Sequence, residues 1–333
     1  MAGGQASCGR ARKVATGDRL PAAGASRSLV ARMSSSPFRH VLPAITTPLR
    51  TDDRVDHEFL AKHAQWQLSA GCSGIIPLGS LGEGATLDFD EKVEVLRTLV
   101  AAAGKAPVLP GIAALSTRSA VALAQAAERA GCRGLMVLPA YVHKGELREG
   151  VAHVGAVLRA TSLPCMLYNN PPAYGTDFTP PCIAELANAH QNLVAVKESS
   201  GDARRVTAIK ALVGERLDVL VGMDDMVVEG VAAGARGWVA GLVNAFPHES
   251  VRLFELARDG KTEACSALYR WFLPLLRLDT VPEFVQLIKL VQAQVGQGDE
   301  RVRAPRLPVQ GALREHALAV IKQALAERAK VMA

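Results

Sequence analysis

Three short stretches carry residue types that could do chemistry together. LVAVKESSGD (193–202) runs apolar residues straight into Lys197, followed by Glu198 and two serines. Lysine is almost never fully buried without a partner, so a buried strand that finishes on an ammonium group needs a reason. One reason is mechanical: the long apolar stem snorkels and carries the charge to water. The other is chemical: desolvation lowers the amine pKa toward neutrality and makes it a nucleophile. Tyr168 ends another apolar run, and a phenol beside such an amine can shuttle the protons that carbinolamine formation and dehydration require. Its plainer reading is a core tyrosine with a polar tip. GSLGEG (79–84) is not a phosphate loop, because it lacks the GK[ST] ending. Its glycines let backbone N–H groups turn inward and, with the Ser80 hydroxyl, form a nest for a small anion such as a carboxylate. Glycine-rich turns are also common for purely geometric reasons.

Metal chemistry fits poorly. HEFLAKH has the wrong histidine spacing for a zinc helix, which needs HExxH. Asp224 and Asp225 read as a helix N-cap and its first-turn acid, since adjacent residues at a helix start face different ways.

The elements that must position these residues show in a repeated phrase. AGCSGII (70–76) recurs as AGCRGLM (130–136) and, more loosely, as AGARGWV (233–239). In each, an alanine-rich helix ends at a glycine able to take the left-handed cap, and an apolar strand follows. The first two lie 60 positions apart, two units of a strand plus its crossover helix. Filling in the units predicts strands near 40–46, 74–78, 107–111, 134–138, 163–168, 193–197, 217–222 and 237–241. Eight such units with strands buried on both faces predict an α/β fold, a (β/α)8 TIM barrel over residues 37–246. Residues 247–333 then form a C-terminal helical region of three or four helices, broken by Pro274, Pro282 and RVRAPRLP. A doubly wound sheet would also alternate, but it should carry a GxGxxG turn, and none exists here.

In such barrels the site is built at the C-terminal ends of the strands. The shortlist is therefore Gly79, Ser80 and Leu81 after the second strand, Tyr141 after the fourth, Tyr168 and Asn170 at the fifth, Lys197 at the sixth, Gly222 at the seventh and Val239 at the eighth. Lys197 thus points into the one place where this fold does chemistry.

The bulk numbers exclude several classes. With 49% hydrophobic and 21% charged residues over 333 positions, the chain is globular, and no apolar run is long enough for a membrane span. Residues 1–36 carry Arg10, Arg12, Lys13, Arg19, Arg27 and Arg32 against Asp18, a net +5 of the chain's +6, which leaves +1 for the rest. A near-neutral body with 5% aromatics offers no stripe for nucleic acid. The Ala/Gly/Ser/Arg-rich residues 1–36 read as a disordered extension; a transit peptide or a misplaced start ahead of Met33 are the other readings. The cysteines (Cys8, Cys72, Cys132, Cys165, Cys182, Cys265) are scattered without a CxxC pair and suit reduced, cytoplasmic thiols.

GSLGE, YNNP (168–171) and VKES (196–199), in that order at strand ends, resemble the dihydrodipicolinate synthase / N-acetylneuraminate lyase family across residues 38–330. The resemblance implies a class I Schiff-base enzyme acting on 2-oxo acids, without metal or organic cofactor, assembled as a homotetramer. It further implies that Lys197 forms the imine, that Tyr168 relays protons, and that Ser80 and the Leu81 backbone hold the substrate carboxylate. Tyr141 matches the tyrosine that the synthases place at the dimer contact. Two departures narrow the substrate. Leu81 replaces the usual second hydroxyl, and Ala173 stands where the synthases carry an arginine for a second carboxylate. YNNPPAYG with GSLGE instead looks like the subgroup that dehydrates and deaminates 1-pyrroline-4-hydroxy-2-carboxylate in hydroxyproline catabolism. The alternatives are 4-hydroxy-tetrahydrodipicolinate synthase or a 2-oxo acid aldolase. Substrate choice is expected in positions 141–144 and 170–174. Outside this class, a pyridoxal phosphate enzyme would need a phosphate cup, and a catalytically silent binding barrel would be expected to have lost Lys197 or Tyr168.

Overall fold

The computed structural model describes residues 36–143 and 145–332. Residues 1–35, with Cys8 and Met33 among them, and Lys144 lie outside the described residues, and so does nearly all of the expected N-terminal extension.

Seven parallel strands form one sheet: β1 (His40–Pro43), β2 (Gly111–Ile112), β3 (Leu135–Val137), β4 (Cys165–Asn169), β5 (Leu193–Glu198), β6 (Asp218–Val221) and β7 (Gly237–Ala240). Their order is β1-β7-β6-β5-β4-β3-β2. Each falls at or beside a stretch that the sequence marks as a strand. The eighth expected strand, near 74–78, makes only isolated bridges, Ile76 with Ala44 and Ile75 with Val108. Proline explains the interruption: Pro77, Pro107 and Pro110 have no N–H to give a ladder, and Leu78 turns to φ +63°. The segment nonetheless bonds on both sides. The Ile76 amide donates to the Pro43 carbonyl at 2.8 Å, and the Leu109 amide donates to that of Ile75 at 2.9 Å.

Helices α1 (His57–Ser69), α2 (Phe89–Ala103), α3 (Thr117–Arg129), α4 (Leu147–Arg159), the short α5 (Pro171–Tyr174), α6 (Pro180–Ala189), α7 (Arg204–Val213) and α8 (Val227–Ala232) run between the strands. Their starts are written in polar side chains. Asp56 accepts from the Phe59 amide at 3.1 Å, Ser116 from that of Ser119 at 3.2 Å, and Asp88 with Glu91 forms a capping box. Their ends explain the repeated phrase. Gly71, Gly131 and Gly234 sit at φ +104°, +92° and +102°. The amides that follow, on Cys72, Cys132 and Ala235, reach back five residues to the carbonyls of Gln67, Ala127 and Gly230. This is the Schellman closure, and only glycine adopts it without strain.

Four more helices follow: α9 (Pro247–Arg258), α10 (Thr262–Leu276), α11 (Phe284–Gln294) and α12 (Gly311–Met332). Pro274, expected to break a helix, lies inside α10, two residues before its end. With no N–H, Pro274 gives the Arg270 carbonyl no i+4 donor, and the helix runs only two residues further. Pro282 does fall between helices. Trp271 donates from Nε1 to the Ala324 carbonyl at 3.1 Å, and Arg328 meets Glu249 at 2.5 Å, so α12 is fastened to α10 and α9.

Side-chain parity sorts the core. Leu42, Ile76, Leu109, Met136, Met166, Ala195, Leu220 and Val239 form one cluster, the inner one; the larger cluster lies between sheet and helices. The five described cysteines are buried and unpaired. Among the described residues no helix is long and apolar enough to cross a membrane.

Candidate active site

Strand periodicity places the lysine. In β5 Ala195 points inward, so Lys197, two residues on, does too. In β4 the same parity sets Met166 and Tyr168 inward, and Tyr168 pairs in register with Lys197. The amine is 4.0 Å from the centroid of the Tyr168 ring. Lys197 is 7% exposed and Tyr168 5% exposed. A ring face under an ammonium favours the charged form, but burial dominates and lowers the lysine pKa to about 8, with Asp279 and then Asp224 pulling it back up. Burial likewise pushes the Tyr168 phenol up to about 12, and the Asn170 amide, donating to its oxygen at 2.9 Å, opposes this.

Gly222 follows β6, directly beside the lysine stem. A Cβ there would clash with Ser199 Oγ and stand 2.6 Å from Cε and 2.8 Å from Cγ of Lys197. The position therefore needs glycine for the room it leaves the lysine.

A cavity of about 430 Å³ opens over this pair. Gly79, Ser80, Leu81, Tyr168, Asn170, Lys197, Gly222 and Val239 all line it, so eight of the nine residues on the sequence shortlist meet in one place. Tyr141 is the ninth. It stands one layer back, its ring stacked on Tyr174 at 5.8 Å. Tyr174 does line the cavity, edge-on to Tyr168 at 5.7 Å, with its hydroxyl bonded to Ser80 Oγ. Asn170 Oδ1 accepts from the Ala173 amide at 3.1 Å, which caps α5 and fixes the side-chain amide toward Tyr168. Ala173 itself lines the cavity with a methyl group, and among the described lining residues Lys197 is the only cation.

The glycines of GSLGEG serve close approach. A Cβ at Gly84 would clash with the Leu78 carbonyl, and one at Gly82 would stand 2.9 Å from that of Ile45. Glu83, at φ +52°, turns its carboxylate away from the cavity into a buried clamp. There it accepts from Lys289 Nζ at 2.5 Å and from the Arg303 amide at 2.9 Å. Lys289 also donates to the carbonyls of Thr47 and Arg301. The C-terminal helices thus hold the loop that presents Ser80.

Asp224 corrects the sequence reading. It caps nothing: its carboxylate is fully buried and accepts from Trp238 Nε1 at 2.9 Å, the Gly241 amide at 3.1 Å and the Leu242 amide at 2.8 Å. Burial raises its pKa to about 6 against these donors. Sequence reasoning also passed over Asp279, in the turn Arg277–Asp279 after α10, which lines the cavity. Its neighbours Leu278 and Thr280 give no periodic or motif signal that singles it out.

A desolvated lysine at a strand end, a buried phenol over it and the GSLGEG loop on the same rim define an α/β enzyme of the lysine-imine kind. Comparison with known proteins carries this further. The dihydrodipicolinate synthetase family model matches residues 37–324. The chain belongs to that family, whose members are class I Schiff-base lyases. It is 31% identical over 287 residues to the 4-hydroxy-tetrahydrodipicolinate synthase of Geobacter metallireducens, covering 86% of this chain and 98% of the relative. The solved 4-hydroxy-tetrahydrodipicolinate synthase of Methylacidiphilum fumariolicum SolV superposes with a TM-score of 0.85 at 26% identity, over 88% of this chain and 98% of that one. The dihydrodipicolinate synthase of Thermotoga maritima superposes at 0.82, with 26% identity over 87% and 99% of the two chains.

Proposed function

We propose that Lys197 forms an imine with C2 of a small 2-oxo acid or cyclic imine acid, and that the preferred reaction is dehydration with deamination of 1-pyrroline-4-hydroxy-2-carboxylate. The observation that carries the substrate reading is the methyl group of Ala173 in a cavity whose described lining has no guanidinium. A second carboxylate on the substrate would meet no charge-assisted fork there. The segment near 74–78, bonded on both sides, closes the sheet as the eighth strand of a (β/α)8 barrel. Ser80 and the Leu81 backbone take the carboxylate, Tyr168 moves protons, and Tyr141 contacts a second subunit of a homotetramer, which light scattering would check.

The chemistry follows from the residues. The neutral Lys197 amine adds to C2, and transimination opens the ring and frees the amino group on C5. The iminium acidifies C3, loss of a proton there gives an enamine, and the enamine expels the 4-hydroxyl as water. Hydrolysis releases ammonia and the oxo acid semialdehyde. Apolar Leu81 beside the imine helps to exclude water until the hydroxyl has left.

The second reading is 4-hydroxy-tetrahydrodipicolinate synthase, favoured by the names of relatives such as that of Geobacter metallireducens. One experiment separates the two. The protein is given the hydroxypyrroline carboxylate and ammonia is measured, and in parallel it is given pyruvate with aspartate semialdehyde. Ammonia with little condensation supports the deaminase. Fast condensation without ammonia supports the synthase.

A further inference from the structure

We propose that Asp279, supplied by the C-terminal region rather than by the barrel strands, is the general acid that protonates the leaving 4-hydroxyl. The role rests on the deaminase reading above.

The geometry begins with an unusual placement. Asp279 Oδ1 is buried and has no hydrogen-bond partner. The carboxyl packs against the backbone just past β7, where a Cβ on Gly241 would stand 2.7 Å from Oδ2 and closer still to Oδ1. It lines the same cavity as Lys197. In the sheet order β7-β6-β5-β4, Tyr168 flanks Lys197 from the β4 side, and Asp279 stands over the β7 side. The two acids of the site therefore approach a Lys197-bound substrate from different walls. The charged groups facing Asp279 are Lys197 on β5 and Asp224 and Asp225 in the turn after β6; Arg277, on its own turn, lies 3.9 Å from Asp225. Burial, reinforced by the two neighbouring aspartates and opposed by Lys197, raises its pKa well above the usual carboxylate range. A carboxyl shifted in this direction holds its proton more readily and can donate it.

The reaction has a step that needs such a donor. When the enamine pair moves from C2=C3 into C3=C4, the C4–O bond breaks, and hydroxide is a poor leaving group without a proton. Asp279 gives its proton to that oxygen, water departs, and the nitrogen on C2 is again an iminium. Water takes a proton from C5, giving a dienamine, and solvent returns a proton to the carboxylate left behind. Solvent reprotonates C3 and C4, water hydrolyses the C5 iminium to ammonia and aldehyde, and a second water frees Lys197. The net reaction consumes one water.

The test compares wild type with Asp279→Asn on two substrates and one trap. With the hydroxypyrroline carboxylate, ammonia release is expected to fall about 100-fold or more, the scale of a lost general acid. With the 4-fluoro analogue, whose fluoride leaves without full protonation, the loss should shrink to less than about 5-fold on the same reasoning. Borohydride trapping of pyruvate on Lys197 should proceed in both proteins. Equal losses with both leaving groups overturn the acid role, and so does loss of pyruvate trapping, which would make Asp279 a support for Lys197. Wild type that releases no ammonia overturns the deaminase reading and this role together; wild-type turnover matched by Asp279→Asn overturns the role alone.

Discussion

Gly222 offers the sharpest perturbation, because its effect can be worked from distances. In Gly222→Ala the new methyl would stand 2.6 Å from Cε and 2.8 Å from Cγ of Lys197. Carbon atoms rest at about 3.5–4.0 Å, so the stem or the strand end must give by about 1 Å. Overpacking of this kind costs about 1–3 kcal/mol, which a domain with about 5–15 kcal/mol of stability survives. Catalysis is less forgiving, since a misplacement of about 1 Å costs about 100-fold. The assay is the initial rate of borohydride-trapped pyruvate adduct, read by intact mass, beside a melting curve on the same sample. A folded variant trapping pyruvate about 100-fold more slowly is expected. Trapping within threefold of wild type would show that glycine at 222 does nothing for the lysine.

Three further outcomes follow from the site. Burial lowers the Lys197 pKa to about 8, so the neutral amine is about one tenth of the total at pH 7. Trapping should climb with pH and level off above about 8, and a rate still rising past pH 10 would mean an ordinary exposed lysine. Tyr168→Phe removes the hydroxyl held by Asn170 and should cut ammonia release by about 100-fold or more, leaving the melting temperature nearly unchanged. Glu83→Ala leaves the buried Lys289 ammonium without its carboxylate, a loss of about 3–5 kcal/mol that should lower the melting temperature by about 6–20 °C. It should also raise the KM for the 2-oxo acid, because the loop bearing Ser80 is no longer held.

The parts of this molecule legible in its sequence are those governed by local rules. The AGC phrase marks three glycine caps because a left-handed residue after an alanine-rich helix has few other solutions, and Gly71, Gly131 and Gly234 all adopt it. Period-2 alternation brings Lys197 and Tyr168 to one side of neighbouring strands, so their meeting follows once the strands are placed. Gly222 was legible by position but not by purpose, since its contact with Lys197 depends on how two strands lie side by side. The failures are long-range. Asp224 looks like a cap because its neighbours in sequence suit one, whereas its donors come from residues 238–242. Asp279 and the Lys289–Glu83 pair join segments about 80 to 200 residues apart in the chain, and no periodicity connects them. Pro274 shows the reverse limit: a proline near a helix end can be absorbed by the turn that follows.

The clamp between Glu83 and Lys289 has a consequence for the time course of synthesis. Lys197 leaves the ribosome well before its supports, since 92 residues separate it from Lys289. At about 5–20 residues per second, that interval is roughly 5–20 s. Through most of it a nascent chain can carry Lys197 and the Ser80 loop, but neither the cation that holds the loop nor Asp279. The residues that fix the Ser80 loop and close one wall of the cavity arrive last, so the cavity is complete only once the far end of the chain has docked.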